Sequence, residues 1–301
     1  MERFDLLVVG GGAAGMAAAL AADRAGARVL LAEQEDALGG ILNQCIHRGF
    51  GLGYFGEDLT GPAYAARFRE RLAGSGVQVR LGTAVLRLEP DKTALLSGPG
   101  GLERVGFARC ILAAGCRETP LGALPVAGTR PAGIFTAGQA QRLVNLGHYG
   151  IGDEIVILGS GDIGQIMARR FTLCGKRVVA LVEQREALGG MLRNRRDCVE
   201  AYRIPVLLRA TVDEVLGQGR ITGVMVRHLD TGARERLRCD TLVTALGLVP
   251  ERSLAEPLER EGGRPGWLHL CGNCDYVHEI VDSVTVQAET LGAGLAGALR
   301  P

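Results

Sequence analysis

Two stretches of this chain repeat one another, and the repeat constrains the fold more than any other feature. Residues 5–15 read DLLVVGGGAAG and residues 154–164 read EIVILGSGDIG. Each is a charged residue, a short apolar run and a Gly-x-Gly-x-x-Gly turn. Further on, AEQEDALGGIL (32–42) matches VEQREALGGML (182–192), with one residue more between the matches in the second copy. Short β-like runs follow in both halves. They are Val77–Leu81, Ala84–Leu88, Thr93–Leu96 and Leu102–Phe107 in the first, and Pro205–Arg209, Val212–Leu216, Ile221–Arg227 and Glu235–Arg238 in the second. Each half closes on an apolar run ending in glycine, Cys110–Gly115 and Thr241–Gly247. The period is far too long for a solenoid, so one architecture is used twice.

The chain has 45 glycines and 4% aromatic residues, with no collagen period or low-complexity tract. Glycine therefore sits at specific backbone positions. A lone Gly-x-Gly-x-x-Gly fits a tight turn in any α/β domain; its surroundings here narrow the choice. Gly10, Gly12 and Gly15 follow the strand-like Leu6–Val9 and open a helix of small residues, Ala13 to Ala22. A second strand, Val29–Ala32, ends at Glu33. Gly10 permits the turn, and the bare Cα of Gly12 lets a diphosphate approach the backbone. The helix start, with Ala13 and Ala14, offers N–H groups and partial positive charge. Glu33 accepts hydrogen bonds from a ribose diol. The second copy supplies Gly159, Gly161, Asp162, Ile163, Gly164 and Glu183. Two dinucleotide sites follow. The acid at Glu183 repels a 2′-phosphate and favours NAD(H) over NADP(H), a preference that nearby Arg185 weakens.

Two such sites, with β-runs between helix and closing strand, resemble the two-dinucleotide-domain flavoproteins of the pyridine nucleotide-disulfide oxidoreductase superfamily. The resemblance implies an α/β fold of two Rossmann-like three-layer domains. A discontinuous FAD domain (1–120 and 252–301) would flank an NAD(P) domain (121–251). It implies FAD in the first site, with Gly39, Gly40, Ala114 and Gly115 beside the turn, and NAD in the second, with Gly247 closing it. Ala113-Ala114-Gly115 stands where Ala-Thr-Gly is usual. Leu246–Pro250 resembles the segment that ends the NAD domain. Cys271-Gly272-Asn273 stands where Cys/Ala-Gly-Asp meets the ribityl chain, with a neutral Asn273 for the usual Asp. A helix over Val281–Leu291 would then aim N–H groups around Ser283 and Val284 at the flavin pyrimidine edge.

The segment Leu38–Ile46 resembles the active-site segment of lipoamide dehydrogenase and glutathione reductase, where Gly-Gly leads into a Cys-x4-Cys disulfide. Here the first cysteine is missing and Cys45 remains, with His47 beside it. That excludes the dithiol mechanism, and residues 150–250 hold no CxxC of the thioredoxin reductase kind. Cys45 is either an inert buried thiol, the favoured alternative, or a single redox cysteine. In wording, Gly39–Gly61 looks closest to FAD subunits of bacterial multi-subunit dehydrogenases. Those are linked with glycerol-3-phosphate dehydrogenase-like, opine oxidase, hydrogen cyanide synthase and dye-linked proline dehydrogenase complexes. Cys271 and Cys274 are too few for a cluster. His278 and Asp282, four apart, could share a helix face.

The formal net charge is +1, which gives no electrostatic case for nucleic acid. No apolar run is long enough to span a membrane. The first strand starting at Phe4 leaves no room for a signal peptide, so the expected location is cytoplasmic. No metal site is expected. The expected activity is an FAD-dependent oxidoreductase passing electrons between NAD(H) and an acceptor or a partner dehydrogenase subunit. The alternatives are a flavin- and adenine-nucleotide-binding subunit that does not turn over, and a single-cysteine peroxide or disulfide reductase.

Overall fold

The computed structural model describes residues 1–260 and 262–299; residues 261, 300 and 301 of the expected 252–301 segment lie outside it. The chain divides into two compact units. One holds Met1–Arg117 and the chain from Val249 onward, and the other holds Glu118–Leu248.

The first unit opens with β1 (Glu2–Val9), α1 (Ala13–Arg24) and β2 (Val29–Ala32). After a glycine-rich stretch come α2 (Gly61–Ala73), β3 (Gln78–Arg80), β4 (Ala84–Leu88), β5 (Thr93–Gly98) and β6 (Gly101–Leu112). The sheet order is β3-β2-β1-β6-β5-β4. The second half of β1, Leu6–Val9, and all of β2 are apolar without alternation because helices and loops cover both faces there, as parallel strands require. The runs expected separately at Leu102–Phe107 and from Cys110 are in fact one strand, β6. Nothing between them breaks a strand: Ala108 and Arg109 are ordinary strand residues and supply no turn. The early half of β6 pairs antiparallel with β5, and from Val105 onward it pairs parallel with β1.

The second unit contains β7 (Ile134–Thr136), α3 (Ala137–Asn145), β8 (Glu154–Leu158), α4 (Asp162–Leu173), β9 (Arg177–Val182) and β10 (Val206–Leu207). Then come β11 (Ala210–Gly217), β12 (Ile221–His228), β13 (Arg234–Leu237) and β14 (Thr241–Thr244). The parallel sheet runs β7-β14-β8-β9-β10, while β11, β12 and β13 belong to a separate sheet. Here the meander and the closing strand stay apart. Asp240, between β13 and β14, turns its carboxylate onto the Asp153 and Glu154 N–H groups at 2.9–3.2 Å.

The chain then returns to the first unit as β15 (Leu268–Leu270) and α5 (Val281–Gly297). β15 pairs parallel with the late half of β6. The two parallel sheets thus match strand for strand: β3-β2-β1-β6-β15 against β10-β9-β8-β14-β7. The fifth strand and its helix follow the repeat in the first unit and precede it in the second. α5 packs directly on α1. Small residues allow this, since a Cβ on Gly292 would overlap the Ala18 carbonyl. One apolar cluster lies between the sheet and α1, α2 and α5. A second covers the opposite face, where Trp267 meets Phe107 with ring centroids 5.2 Å apart.

Candidate functional site

The first turn joins β1 to α1. Gly10 has φ of +103°, and a Cβ there would lie 2.6 Å from the Ala113 carbonyl oxygen at the end of β6. Around Gly12, by contrast, a Cβ would meet nothing within 4 Å. Gly12 caps α1 with no side-chain hydrogen bond, so the N–H groups of the first helical turn have no side-chain acceptor. Glu33, at the end of β2, is buried. It accepts the Gly11 N–H at 2.6 Å and the Glu35 N–H at 2.8 Å. The Gly39 N–H donates to the Gly11 carbonyl at 2.8 Å, which lays the Gly39-Gly40 segment beside the turn. An open glycine, an uncapped helix start and a buried carboxylate together fit the diphosphate and ribose of a dinucleotide.

The second turn, between β8 and α4, repeats this plan with different side chains. Gly159 has φ of +102°, and Gly161 again faces open space. Glu183 accepts the Ser160 N–H at 3.1 Å and also the Ser160 hydroxyl. Its other oxygen accepts the Arg185 N–H and Nε, each at 3.0 Å. Burial opposes ionisation of Glu183, but the Arg185 and Ser160 hydrogen bonds outweigh it and hold the carboxyl below its ordinary range. Asp162 and Ile163 begin α4. Ser160, Asp162 and Gln165 stand where the first copy has Gly11, Ala13 and Met16. Ser160 and Gln165 were not singled out from sequence; the available signal was a polar residue at a position the first copy fills with glycine or an apolar side chain.

The closing segments of the first unit converge on its turn. Gly272 has φ of +65°, and a Cβ there would lie 2.8 Å from the Ala14 side chain. Its N–H donates to Gln287 Oε1 at 3.0 Å. Asn273 Oδ1 accepts the His278 N–H at 3.0 Å, and its amide nitrogen faces Cys116 Sγ at 3.7 Å. Open space surrounds Gly115. α5 starts without a side-chain cap; the Ser283 hydroxyl donates to the Ile280 carbonyl at 3.3 Å and Val284 is buried. His278 precedes α5, so it shares no helix face with Asp282, contrary to the spacing argument. Its Nε2 instead meets Gln287 Oε1 at 3.1 Å. Asp282 accepts the N–H groups of Gly51 (3.1 Å) and Gly53 (2.7 Å), pinning the glycine-rich stretch to α5. Sequence spacing gave no sign of that link.

Cys45 ends a 3-10 turn over Gly40–Gln44 and is buried. Burial pushes its thiol up to about 12. His47 Nδ1 lies 3.0 Å from the Arg48 carbonyl oxygen, and its ring is 5.0 Å from that of Phe50. Burial likewise pushes Cys271 up to about 12 and Cys274 to about 11. All eight cysteines are thiols. Among the described residues, no group of three or more His, Cys, Asp or Glu side chains could hold a metal ion, and no helix is long and apolar enough to cross a membrane.

The chain is similar to known proteins in sequence and in fold. The chain is 27% identical to hydrogen cyanide synthase subunit HcnB of Pseudomonas protegens, over 89% of this chain and 62% of that one. It is 27% identical to an opine oxidase subunit of Rhizobium meliloti, over 99% and 66%. The chain thus spans less than two thirds of either relative. Among solved structures, thioredoxin reductase of T. acidophilum superposes with a TM-score of 0.78 at 20% identity, covering 99% of this chain and 98% of that one. L-proline dehydrogenase from P. horikoshii superposes at 0.68 and 16% identity, covering 98% and 55%. These likenesses show the α/β fold of Rossmann-type FAD/NAD(P)-binding oxidoreductases. Residues 4–268 match the model of one family over most of the chain, and the chain belongs to the pyridine nucleotide-disulphide oxidoreductases.

Proposed function

We propose that this chain is an FAD-dependent oxidoreductase that passes electrons between NAD(H) and an acceptor or a partner dehydrogenase subunit. The observation that carries this is the doubled turn, with an open Gly12 or Gly161 before an uncapped helix and a buried acid, Glu33 or Glu183, beside it. In the first unit, the N–H groups of Ala13, Ala14 and Gly15 take the FAD diphosphate and Glu33 takes the ribose diol. Gly39, Gly40, Ala114 and Gly115 leave room for the cofactor backbone. Gly272 and Asn273 meet the ribityl chain. The start of α5, at Ser283 and Val284, presents N–H dipoles to negative charge on the flavin pyrimidine. When bound, the flavin supplies the hydride and electron chemistry that no side chain offers.

In the second unit, Gly159, Gly161, Gly164 and Gly247 shape the turn, Ile163 N–H joins the diphosphate donors, and Glu183 favours NAD(H) over NADP(H). A partner subunit is supported by the relatives, which are named as subunits of larger enzymes. A thiol held near pH 12 gives Cys45 little thiolate at neutral pH, which weighs against the single-cysteine reductase. The test is anaerobic addition of NADH to FAD-reconstituted protein. Bleaching of the flavin bands is expected within seconds; protein that takes up no flavin would end the proposal.

The reading as a subunit that does not turn over has one observation in its favour. Ser160 and Arg185 engage both oxygens of Glu183, leaving fewer lone pairs for a ribose than Glu33 has. Nucleotide binding without bleaching would support it.

A further inference from the structure

The two turns in this chain serve as controls for each other, and one difference between them lies in how the Gly-Gly segment is fastened. In the first, a backbone hydrogen bond from Gly39 to Gly11 lays the Gly-Gly segment beside the turn. In the second, three side chains do so. Ser160 Oγ accepts the Gly189 N–H at 2.9 Å. Gln165 Nε2 donates to the Gly189 carbonyl at 2.6 Å and to the Ser160 carbonyl at 2.8 Å. Asp162 Oδ1 accepts the Met191 N–H at 2.8 Å and Asn194 Nδ2 at 2.7 Å.

This fastening places acceptors where an anion should sit. Asp162 is the first residue of α4, directly after the open Gly161. A Cβ on Gly190 would lie 3.0 Å from the Asp162 backbone nitrogen and 2.5 Å from its Oδ1, so the carboxylate lies beside the first donor of the helix. Gln165 is fully buried and its Oε1 has no hydrogen-bond donor, so a further acceptor lies under the same turn. An anion drawn to the helix start therefore meets a fixed carboxylate that the first copy, with Ala13, does not have. A dinucleotide carries its two phosphates as an internal diphosphate esterified at both ends, with one charge each. A nucleoside di- or triphosphate adds the charge of a free terminal phosphate, and each added charge meets the same repulsion.

Resting on the reading of the second turn as a nucleotide site, we propose that Asp162 is a specificity determinant. It admits a dinucleotide and disfavours nucleotides that end in a free phosphate. The carboxylate acts by charge, and its hydrogen bonds to Met191 and Asn194 hold it in place.

The experiment is anaerobic calorimetric titration of FAD-loaded protein, its flavin reduced beforehand with dithionite, with NADH, ADP and ATP, for the wild type, Asp162→Asn and Ser160→Gly. Asp162→Asn keeps the Oδ1 acceptor and removes only the charge. It should narrow the preference for NADH over ATP by about tenfold, through tighter ATP binding. Ser160→Gly restores the first-copy residue, loosens the fastening and leaves the charge, and should leave the ratio within about twofold of wild type. An unchanged ratio in Asp162→Asn, or an equal change in Ser160→Gly, overturns the proposal, as does a wild type that binds ATP as tightly as NADH. Failure of the electron-transfer reading looks different: NADH binds with the expected selectivity but does not bleach oxidised flavin. Binding of none of the three nucleotides overturns both.

Discussion

The hydroxyl groups of Tyr64 and Thr285 lie 2.7 Å apart, both fully buried, one on α2 and the other on α5. This polar link lies inside the apolar layer that carries the start of α5. Tyr64→Phe should lower unfolding free energy by about 1–2 kcal/mol, because it strands the Thr285 hydroxyl. The double variant Tyr64→Phe/Thr285→Val removes both partners and should recover part of that loss. Urea denaturation of all three proteins gives the coupling directly; strictly additive losses would mean the pair is not linked.

Gly10 and Gly12 should separate folding from binding. An alanine at Gly10 meets a left-handed backbone and the Ala113 carbonyl, and should cost more than about 2 kcal/mol of stability. At Gly12 the backbone is extended and the space open, so alanine should cost less than about 1 kcal/mol. The methyl group would nevertheless occupy the phosphate approach. The expected result for Gly12→Ala is a near-normal melting curve with a large fall in retained flavin absorbance, and full retention would count against Gly12 as the diphosphate seat.

Cys45 should behave as a packing residue. In the native protein at pH 8, iodoacetamide should label the exposed Cys174 well before Cys45, as read by peptide mass spectrometry. Cys45→Ser should leave NADH-dependent bleaching unchanged. The same burial predicts a pH dependence. Folding raises the thiols of Cys45, Cys239 and Cys271 from 9.0 to about 12. Their contribution is complete below pH 9 and is lost as pH climbs toward 12. Urea midpoints should therefore fall over that window, and less steeply in Cys45→Ala.

Glu183 should act in the opposite pH direction. Its carboxyl lies below the ordinary 4.5, so its contribution is present above that value and is lost as pH falls through the lowered one. Glu183→Gln should flatten acid unfolding below pH 4.5. It should also weaken NADH binding by about tenfold and narrow the margin over NADPH, both measurable by titration. An unaltered margin would assign nucleotide choice to other residues.

The parts of this fold legible in the sequence are local. The turn at Gly10, the helix of alanines and the acid at Glu33 all lie within one strand-helix-strand unit, so spacing alone exposes them. The same holds for Gly159 to Glu183. The continuity of β6 was missed because two apolar runs look like two strands when Ala108 and Arg109 separate them, yet neither breaks extended backbone. The links from Asp282 to Gly51 and Gly53 and from Tyr64 to Thr285 join residues more than two hundred positions apart, and no periodicity encodes such pairs. The position of His278 outside α5 has a local cause. The 3-10 turn over Gly272–Cys274 and the extended Ile280 delay the helix start to Val281.

The fifth strand of each parallel sheet has a consequence for the order in which the protein can be made. Translation delivers β7 before the rest of its sheet, so the inserted unit has all five strands once Thr244 has left the ribosome. The first unit lacks β15 and α5 until residues 268–297 emerge. Until then the late edge of β6 and the face of α1 that receives Gly292 are uncovered, leaving apolar surface and unpaired strand exposed on the nascent chain. The insertion can be finished while its host is still open, and the window in which a chaperone is most useful runs from about Leu112 to Gly297.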